Sequence, residues 1–307
     1  TAALRGQVWW VRWQGPAGSN PHGPWGGHVN LARKLALAER YGAVAVVLYP
    51  GSPDEVWPDT TFDRRTRGST IPVLSLTHAG FAALPLGFMN EEERVQVKAG
   101  VLVTRVVANN VAAYLDNGAN RTLVLGAHYD HLGYGEYGSS RHRGEPQIHN
   151  GADDNASGTA GLLELAKYWA QHRDRRFNFL FLAFSGEELG LLGSAYFVRN
   201  PWLPLDSVVA MFNMDMIGRL LDSTKQLGVH GTGTALEWSA LVDSLAGPLR
   251  IKSSPAGTGS SDHQSFYLQN VPVLHFFTGT HEDYHKPSDD AHLLNYQGMQ
   301  LVLEYMI

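Results

Sequence analysis

Acidic residues and histidines recur in five short motifs of the second half of the chain. The motifs are AHYDHLG (127–133), NGADDNASG (150–158), SGEELG (185–190), NMDMIGR (213–219) and HEDYHKPSDD (281–290). Because the chain has no cysteine, imidazole and carboxylate are the ligands left for a bound metal. Two cations held close together need a bridging carboxylate, further ligands and an open side for water and substrate. The motifs therefore predict a site for a pair of divalent cations.

The adjacent acids Glu187 and Glu188 stand between two apolar runs, which is an unfavourable place for two like charges. Neighbouring cations would offset their repulsion. Successive side chains after a strand point to different sides, so the two neighbours can do different jobs. We expect Glu188 to bind a metal ion and Glu187 to act as a general base that takes a proton from water.

The elements between the motifs must bring them together. Strands are predicted at RTLVLGA (121–127), FNFLFLAF (177–184), SVVAMFNM (207–214) and VPVLHFF (271–277), and a helix at GTAGLLELAKYWAQH (158–172). This alternation is typical of an α/β fold in which helices cover both faces of a mixed, mainly parallel central sheet. The motifs fall at the carboxyl ends of strands or in the loops beyond, where open α/β sheets gather active-site residues.

The first hundred residues have a different character. Strands are predicted at GQVWWVRW (6–13), VAVVLYPG (44–51) and TIPVLSL (70–76), a helix at HVNLARKLALAERYGA (28–43), and a polar loop at 54–69. This half holds His22, His28 and His78 but no cluster of acids and histidines, and we predict that it is not catalytic. The chain is therefore divided into domains 1–100 and 101–307.

Composition excludes several classes of protein. The 307 residues are 44% hydrophobic, which is enough for a sizeable core. A net charge of −5 gives no basic surface for nucleic acid, and no apolar run reaches the length of a membrane span. The first residues, Thr1 to Leu4, are not a signal peptide, but one could have been removed. We expect a secreted or periplasmic protein.

The motifs HYDHLG, GADDNASG, FSGEELGLLGS, NMDMIG and GTHEDYHKPSD resemble those of the dizinc aminopeptidase family, whose relatives include glutamate carboxypeptidase II and glutaminyl cyclase. The resemblance runs from about residue 106 to the end of the chain, and the order, spacing and flanking residues agree. It implies a zinc exopeptidase fold and two zinc ions. It also implies that a zinc-bound water hydrolyses the N-terminal peptide bond of peptides that have a free N-terminus.

The resemblance also implies a role for each metal ligand. His128 and Asp215 would bind one zinc ion, and Glu188 and His285 would bind the other. Asp154 would bridge the two ions. In this family the peptide bond after the bridging aspartate is often cis, which here is the bond to Asn155.

Further residues are assigned around these ligands. Glu187 would activate the water, and Tyr284 would help to stabilise the developing oxyanion. The carboxylate of Asp130 would orient the imidazole of His128 without binding metal itself. Four other residues are expected to shape hydrogen bonds around the site: His131, His263, His281 and Asp283. His142 and His149 are expected to lie in loops.

The first hundred residues resemble a protease-associated domain, a module that is inserted into this peptidase fold. The resemblance rests on GQVWWVRW, on the helix before GAVAVVLYPG and on IPVLSLTHAGFAAL. The chain begins inside the insert, so the domain is expected to be N-terminally incomplete.

Alternatives to the aminopeptidase remain open. One is a carboxypeptidase or a glutaminyl cyclase on the same fold, and another is a non-catalytic binding relative. All the predicted ligands and Glu187 are present, which disfavours the second. The catalytic loops hold no arginine cluster that would bind a C-terminal carboxylate, although Arg219 could reach substrate. We expect cleavage of unblocked aminoacyl substrates, with a preference for apolar N-terminal residues.

Overall fold

A computed structural model describes residues 5–15, 31–51, 69–84, 106–135, 139–172 and 175–307. The chain forms two compact units, residues 1–105 and 106–307. The predicted boundary at residue 100, the loop 54–68 and the histidines at positions 22 and 28 lie outside the described residues. The nature of the first domain therefore stays a prediction.

The first unit contains a three-stranded parallel sheet. Its strands are β1 (Val8–Arg12), β2 (Ala45–Tyr49) and β3 (Val73–Ser75), in the order β1-β2-β3, and its helices are α1 (Leu31–Arg40) and α2 (His78–Ala82). Leu35 and Ala38 of α1 share a small core with Val46 and Leu48 of the central strand. The strands predicted in this half are all present.

The second unit is built on a seven-stranded sheet. Its strands are β4 (Val111–Leu115), β5 (Thr122–His128), β6 (Asn178–Phe184), β7 (Val208–Met214), β8 (Gln226–His230), β9 (Arg250–Ser254) and β10 (Val273–Phe277). Their order is β4-β6-β5-β7-β10-β8-β9. The neighbours β6, β5, β7 and β10 run parallel, whereas β4 and β8 pair antiparallel with β6 and β10. The predicted mixed, mainly parallel sheet is confirmed.

Helices cover both faces of this sheet. They are α3 (Gly158–Gln171), α4 (Leu192–Arg199), α5 (Trp238–Ser244), α6 (His263–Tyr267) and α7 (Tyr296–Met306). Helices α3, α5 and α7 share one core with Phe179 and Phe181 of β6. The intervening Leu180 and Leu182 face the other core, with α4 and α6. This alternation is the period-two pattern of a strand that is buried on both sides.

The register of the central strands brings the motif loops to one edge of the sheet. His128, the last residue of β5, pairs with Phe184, the last residue of β6. Met214, the last residue of β7, pairs with Phe276 of β10. The loops that follow β5, β6, β7 and β10 therefore leave the sheet side by side. Among the described residues, no helix combines the length and apolar character that crossing a membrane requires.

Candidate metal centre

His128, Asp154 and Asp215 direct one ligand atom each toward a common point. Nε2 of His128 lies 3.4 Å from Oδ1 of Asp154 and 3.5 Å from Oδ1 of Asp215. Nitrogen and oxygen ligands about 2.0 Å from a tetrahedral zinc ion stand about 3.3 Å apart. The spacing of these donors therefore fits one cation.

A second group of donors lies on the other side of Asp154. Nε2 of His285 is 3.0 Å from Oδ2 of Asp154 and 3.4 Å from Oε2 of Glu188. The two oxygens of Asp154 thus belong to different groups, which is the placement that a bridging carboxylate requires. The structure brings all five predicted ligands together, although their binding of metal stays a prediction.

The electrostatics of this cluster also suit a cation. Burial opposes a charge on Asp154, but hydrogen bonds from His128 and His285 hold the pKa of Asp154 well below its usual range. The carboxylates of Glu188 and Asp215 are also close to these imidazoles. Several buried acids at one point repel each other unless positive charge lies between them. Oxygen and nitrogen donors, with no thiolate, fit zinc.

The segment that carries Asp154 is fixed by its backbone. Residues Ala152–Ser157 form a kinked turn before α3 in which Asp154 and Asn155 have non-helical backbone angles, and the bond from Asp154 to Asn155 is cis, as expected. Oδ2 of the fully buried Asp289 accepts hydrogen bonds from the N–H groups of Asp153 and Asp154, at 2.9 and 3.1 Å. The side chain of Asn155 donates to the carbonyl of Met214, at the end of β7. These bonds place the bridging carboxylate relative to the sheet.

Asp130 acts through a different group from the one expected. Nδ1 of His128 is 3.1 Å from the backbone carbonyl of Asp130, whereas the carboxylate is 3.8 Å away. The carboxylate instead accepts hydrogen bonds from the backbone N–H groups of Glu187 and Glu188. Asp130 therefore links the loop after β5 to the loop after β6, and its carbonyl fixes the ring of His128.

His131 contacts one of the predicted ligands. Its Nδ1 lies 2.8 Å from Oε1 of Glu188, the oxygen that does not face His285. Ligand atoms of His131, Asp154 and Glu188 also lie within 4.8 Å of one another. Because His285 is close to both carboxylates while His131 is hydrogen-bonded to one, the geometry favours His285 as ligand and His131 as support for Glu188.

Glu187 and Tyr284 line a recess of 360 Å³ together with the five predicted ligands. Burial raises the pKa of Glu187, and the nearby carboxylate of Asp215 adds to this effect. Tyr284 stacks on His285, with ring centroids 3.7 Å apart. Burial and the surrounding carboxylates raise the pKa of Tyr284, so its phenol stays neutral and can donate a hydrogen bond.

The rest of the recess is lined by residues that the motifs mostly did not identify. They include His230, Gly259, His263, His275 and Phe277. Only His263 was expected near the site, and the others come from β8, from β10 and from the segment before α6. His230 and His275 lie outside the motifs, and the pairing of β8 with β10 brings them together.

Two motif residues have structural partners of their own. Arg219, which could have reached substrate, pairs with the carboxylate of Asp283 and donates to the carbonyl of Leu293. His281 lies 3.1 Å from Oδ2 of the buried Asp153. Both contacts tie the loop after β10 to the rest of the unit, and Arg219 is therefore engaged away from any substrate.

Two loop histidines and a buried acid complete the surroundings. His149 is buried beside Ser140, whereas His142 lies 3.1 Å from the carbonyl of Glu145 in the same loop. Asp262 is fully buried, and burial raises its pKa to about 7. The sequence did not single out Asp262 or Asp289, because acids near helices usually cap them.

The sequence was compared with known families and proteins. Residues 110–307 match the model of peptidase family M28. Aminopeptidase YwaD of Bacillus subtilis is 26% identical over an alignment of 299 residues that covers 89% of this chain and 58% of the relative. Leucine aminopeptidase 2 of Trichophyton rubrum is 28% identical over 184 residues, 57% of this chain and 34% of the relative. The chain thus spans roughly a third to three fifths of these relatives.

Solved structures agree on the fold. A zinc aminopeptidase from Bacillus subtilis superposes with a TM-score of 0.61 at 23% identity, over 99% of this chain and 69% of that one. An aminopeptidase from Aneurinibacillus sp. strain AM-1 superposes with a TM-score of 0.57 at 22% sequence identity, over 98% of this chain and 72% of that one. The family match covers nearly all of the second unit, which carries the metal centre. The chain belongs to peptidase family M28.

Proposed function

We propose that this chain is an aminopeptidase that works with two zinc ions. The observation that carries the proposal is the position of Asp154, whose two oxygens lie beside His128 on one side and His285 on the other. Asp215 completes the first donor group and Glu188 the second. Zinc bound there would polarise the scissile carbonyl and lower the pKa of the attacking water.

Glu187 is the general base of this proposal. It lines the recess beside both donor groups but belongs to neither. A carboxylate whose pKa is raised can take a proton from water and then deliver it to the departing amine. The neutral phenol of Tyr284 donates a hydrogen bond to the oxygen of the attacked carbonyl. Asp130 and His131 hold the two glutamates in place.

The charge of the recess favours a free amine over a free carboxylate. Its described lining includes Glu187 and Asp215, and it includes no arginine or lysine. Glu187 and Asp215 offer oxygen atoms that can accept hydrogen bonds from a free amine, whereas a C-terminal carboxylate would find no arginine or lysine there to bind it. Arg219 is engaged by Asp283 and does not offer a positive charge. Peptides with a free N-terminus are therefore the proposed substrates, in preference to those of a carboxypeptidase.

A panel of aminoacyl p-nitroanilides tests this function. The zinc-loaded protein should release nitroaniline from unblocked substrates, and N-acetylated forms of the same compounds should be resistant. A chelator should abolish the release, and added zinc should restore it. Efficient removal of C-terminal residues from an N-blocked peptide would contradict the proposal and favour the carboxypeptidase.

Two further expectations remain as proposals. We propose that residues 1–100 are a protease-associated-like domain, which is supported by the parallel sheet β1-β2-β3 and its helix α1. Deletion of residues 1–105 should then alter KM for long peptides more than for aminoacyl anilides. We also propose a secreted or periplasmic location, which fractionation of the native host would test.

A further inference from the structure

The side chain of Asp153 joins the turn before α3 to two other loops. Asp153 directly precedes the bridging residue Asp154 and is fully buried. Its Oδ1 accepts a hydrogen bond from the N–H of Gly218 at 2.7 Å, in the loop that follows β7. Its Oδ2 lies 3.1 Å from Nε2 of His281, in the loop that follows β10. A single carboxylate therefore contacts three segments that are far apart in sequence.

The two contacted loops carry predicted ligands from different donor groups. Gly218 lies three residues after Asp215, and His281 lies four residues before His285. Asp215 belongs to the first donor group and His285 to the second. A displacement of the Asp153 side chain would therefore act on both sides of the metal centre.

The contact with the loop after β7 is part of a larger set of hydrogen bonds. Three consecutive backbone N–H groups, those of residues 216–218, donate to side chains of the turn before α3. The acceptors are Asn155, Ser157 and Asp153, at 3.1, 3.0 and 2.7 Å. A Cβ atom at position 218 would lie 2.8 Å from Oδ1 of Asp153, so Gly218 permits this close approach. The loop after β7 is thus fixed to the turn residue by residue.

The contact with the loop after β10 depends on one tautomer of His281. A carboxylate only accepts hydrogen bonds, so Nε2 of His281 carries the hydrogen that faces Asp153. Nδ1 is then the acceptor, and Nη2 of Arg219 lies 3.3 Å from it. The same guanidinium pairs with Asp283. Arg219, which the sequence suggested could reach substrate, therefore holds His281 in the tautomer that donates to Asp153.

We infer that Asp153 is a positioning residue of the metal centre, and that the hydrogen bond it accepts from His281 sets the two donor groups relative to each other. Neither residue belongs to a donor group. The inference rests on the proposed function, because it requires cations at both groups. Side chains that orient metal ligands typically contribute 10- to 100-fold to metal affinity.

Substitutions at position 281 test this hydrogen bond. His281→Phe keeps a ring but has no N–H, whereas His281→Gln places an amide N–H where Nε2 lies. Competition with a chromogenic chelator should show zinc affinity roughly tenfold lower for His281→Phe and close to that of the wild type for His281→Gln. His172→Phe, at the exposed end of α3, is the matched control and should keep the affinity.

Two results of this competition would overturn the inference. If His281→Phe binds zinc as tightly as the wild type, the hydrogen bond to Asp153 does not hold the ligands. If His281→Phe and His281→Gln lose the same affinity, the ring of His281 matters and its N–H does not.

Cobalt(II) provides a readout that a loss of stability alone would not change. Cobalt(II) binds the same nitrogen and oxygen ligands as zinc, and its visible absorption depends on their geometry. The absorption per bound ion should change in His281→Phe, and it should stay that of the wild type in His281→Gln and His172→Phe. An unchanged spectrum in a His281→Phe protein of lower Tm would show that His281 only stabilises the fold.

Asp153→Asn tests the carboxylate itself. Whichever way the new amide turns, its NH2 group faces one of two donors, the N–H of Gly218 or that of His281. Zinc affinity should fall roughly tenfold or more. Asp206→Asn makes the same change at an exposed residue before β7 and should have no effect. If Asp153→Asn does not fold, the variants at position 281 decide.

Turnover separates failure of the inference from failure of the proposed function. If the wild-type protein binds two zinc ions but cleaves no aminoacyl p-nitroanilide, the proposed reaction fails, and the affinities and spectra still decide the inference. If the wild-type protein cleaves these substrates while His281→Phe keeps the affinity and the spectrum, the function stands and the inference is overturned. A wild-type protein that binds no zinc would contradict both.

Discussion

At the scale of single residues, Glu187 and Glu188 differ in what surrounds them. Oε2 of Glu188 lies 3.4 Å from Nε2 of His285, whereas Glu187 lines the recess outside both donor groups. Adjacent positions in one loop therefore reach different surroundings. This difference in surroundings was predicted from the sequence, because the side chains of neighbouring residues after a strand point to different sides.

Glu187→Gln should lower kcat by about 10²- to 10⁴-fold while zinc stays near two ions per chain, because an amide keeps the shape but cannot accept the proton. Glu188→Gln should instead weaken the binding of one ion. Elemental analysis alongside steady-state kinetics checks both. Loss of zinc from the Glu187→Gln protein would show that the two roles are reversed or shared.

His131→Ala should weaken zinc binding roughly tenfold, because groups that orient a ligand typically contribute 10- to 100-fold to metal affinity. The variant removes the hydrogen-bond partner of Oε1 of Glu188 and leaves all five predicted ligands in place. Competition with a chromogenic chelator measures the affinity. His172→Ala, a change of the same type on an exposed residue, should have no effect. If the His131→Ala protein instead bound one zinc ion fewer per chain, His131 would be a metal ligand.

Supporting residues were harder to predict than ligands. The ligand types and spacings occur together in five motifs, so each motif strengthens the others. Asp289 and the carboxylate of Asp130, by contrast, accept hydrogen bonds from backbone N–H groups. Which backbone they meet depends on how distant loops leave the sheet, and no local pattern specifies that.

At the scale of elements, the kinked turn before α3 depends on the side chain of Asp289. The carboxylate of Asp289 accepts hydrogen bonds from two consecutive N–H groups in this turn, those of Asp153 and Asp154. All three residues are buried. The position of the bridging carboxylate is thus set by a residue that lies beyond β10.

Asp289→Ala should reduce the free energy of unfolding by roughly 2–4 kcal/mol, because two buried donors lose their acceptor at about 1–3 kcal/mol each. Zinc affinity should fall as well, since Asp154 is no longer held. Urea denaturation and chelator competition provide the two readouts. Asp290→Ala is the control at the neighbouring position. It removes a hydrogen bond from the exposed Asn150 and should lower the free energy of unfolding far less. Similar losses in both variants would contradict this role.

The central strands could be predicted, but the edge of the sheet could not. Strands β5, β6, β7 and β10 are buried on both faces and appear in the sequence as continuous apolar runs. Strands β8 and β9, QLGVH and RIKSS, are short and mixed in polarity. These two segments are strands because β8 pairs with β10 and β9 pairs with β8, and such tertiary contacts cannot be predicted from the local sequence. His230, which lines the recess, lies on β8, and the sequence did not identify it because β8 itself was not predicted.

At the scale of the whole molecule, the candidate metal centre also bears on the stability of the second unit. Its donors come from four loops and from the end of β5, and they place several carboxylates at a buried point. His128 and His285 donate hydrogen bonds to Asp154, and they also lie close to Asp215 and Glu188, respectively. Zinc would therefore hold together parts of the unit that are far apart in sequence.

Removal of zinc should lower Tm by about 5 °C or more, because a ligand at 100 times its Kd adds about 2.7 kcal/mol to the stability of the folded state. A thermal shift assay after dialysis against a chelator, with and without zinc, measures the difference. Magnesium at the same concentration is the control and should restore little, because it prefers all-oxygen sites. An unchanged Tm would indicate that these residues do not bind zinc in the folded protein.

The order of strands in the second sheet also bears on how the protein is synthesised. Among the described strands β10 is the last along the chain, yet it lies between β7 and β8. On the ribosome, β4 to β7 can pair as they emerge, and β8 and β9 can pair with each other, but this pair cannot join the rest of the sheet until β10 is complete. His285 emerges later still. Binding of a cation by the predicted ligands would therefore come late in biogenesis, and one edge of β7 has no partner strand until β10 is complete.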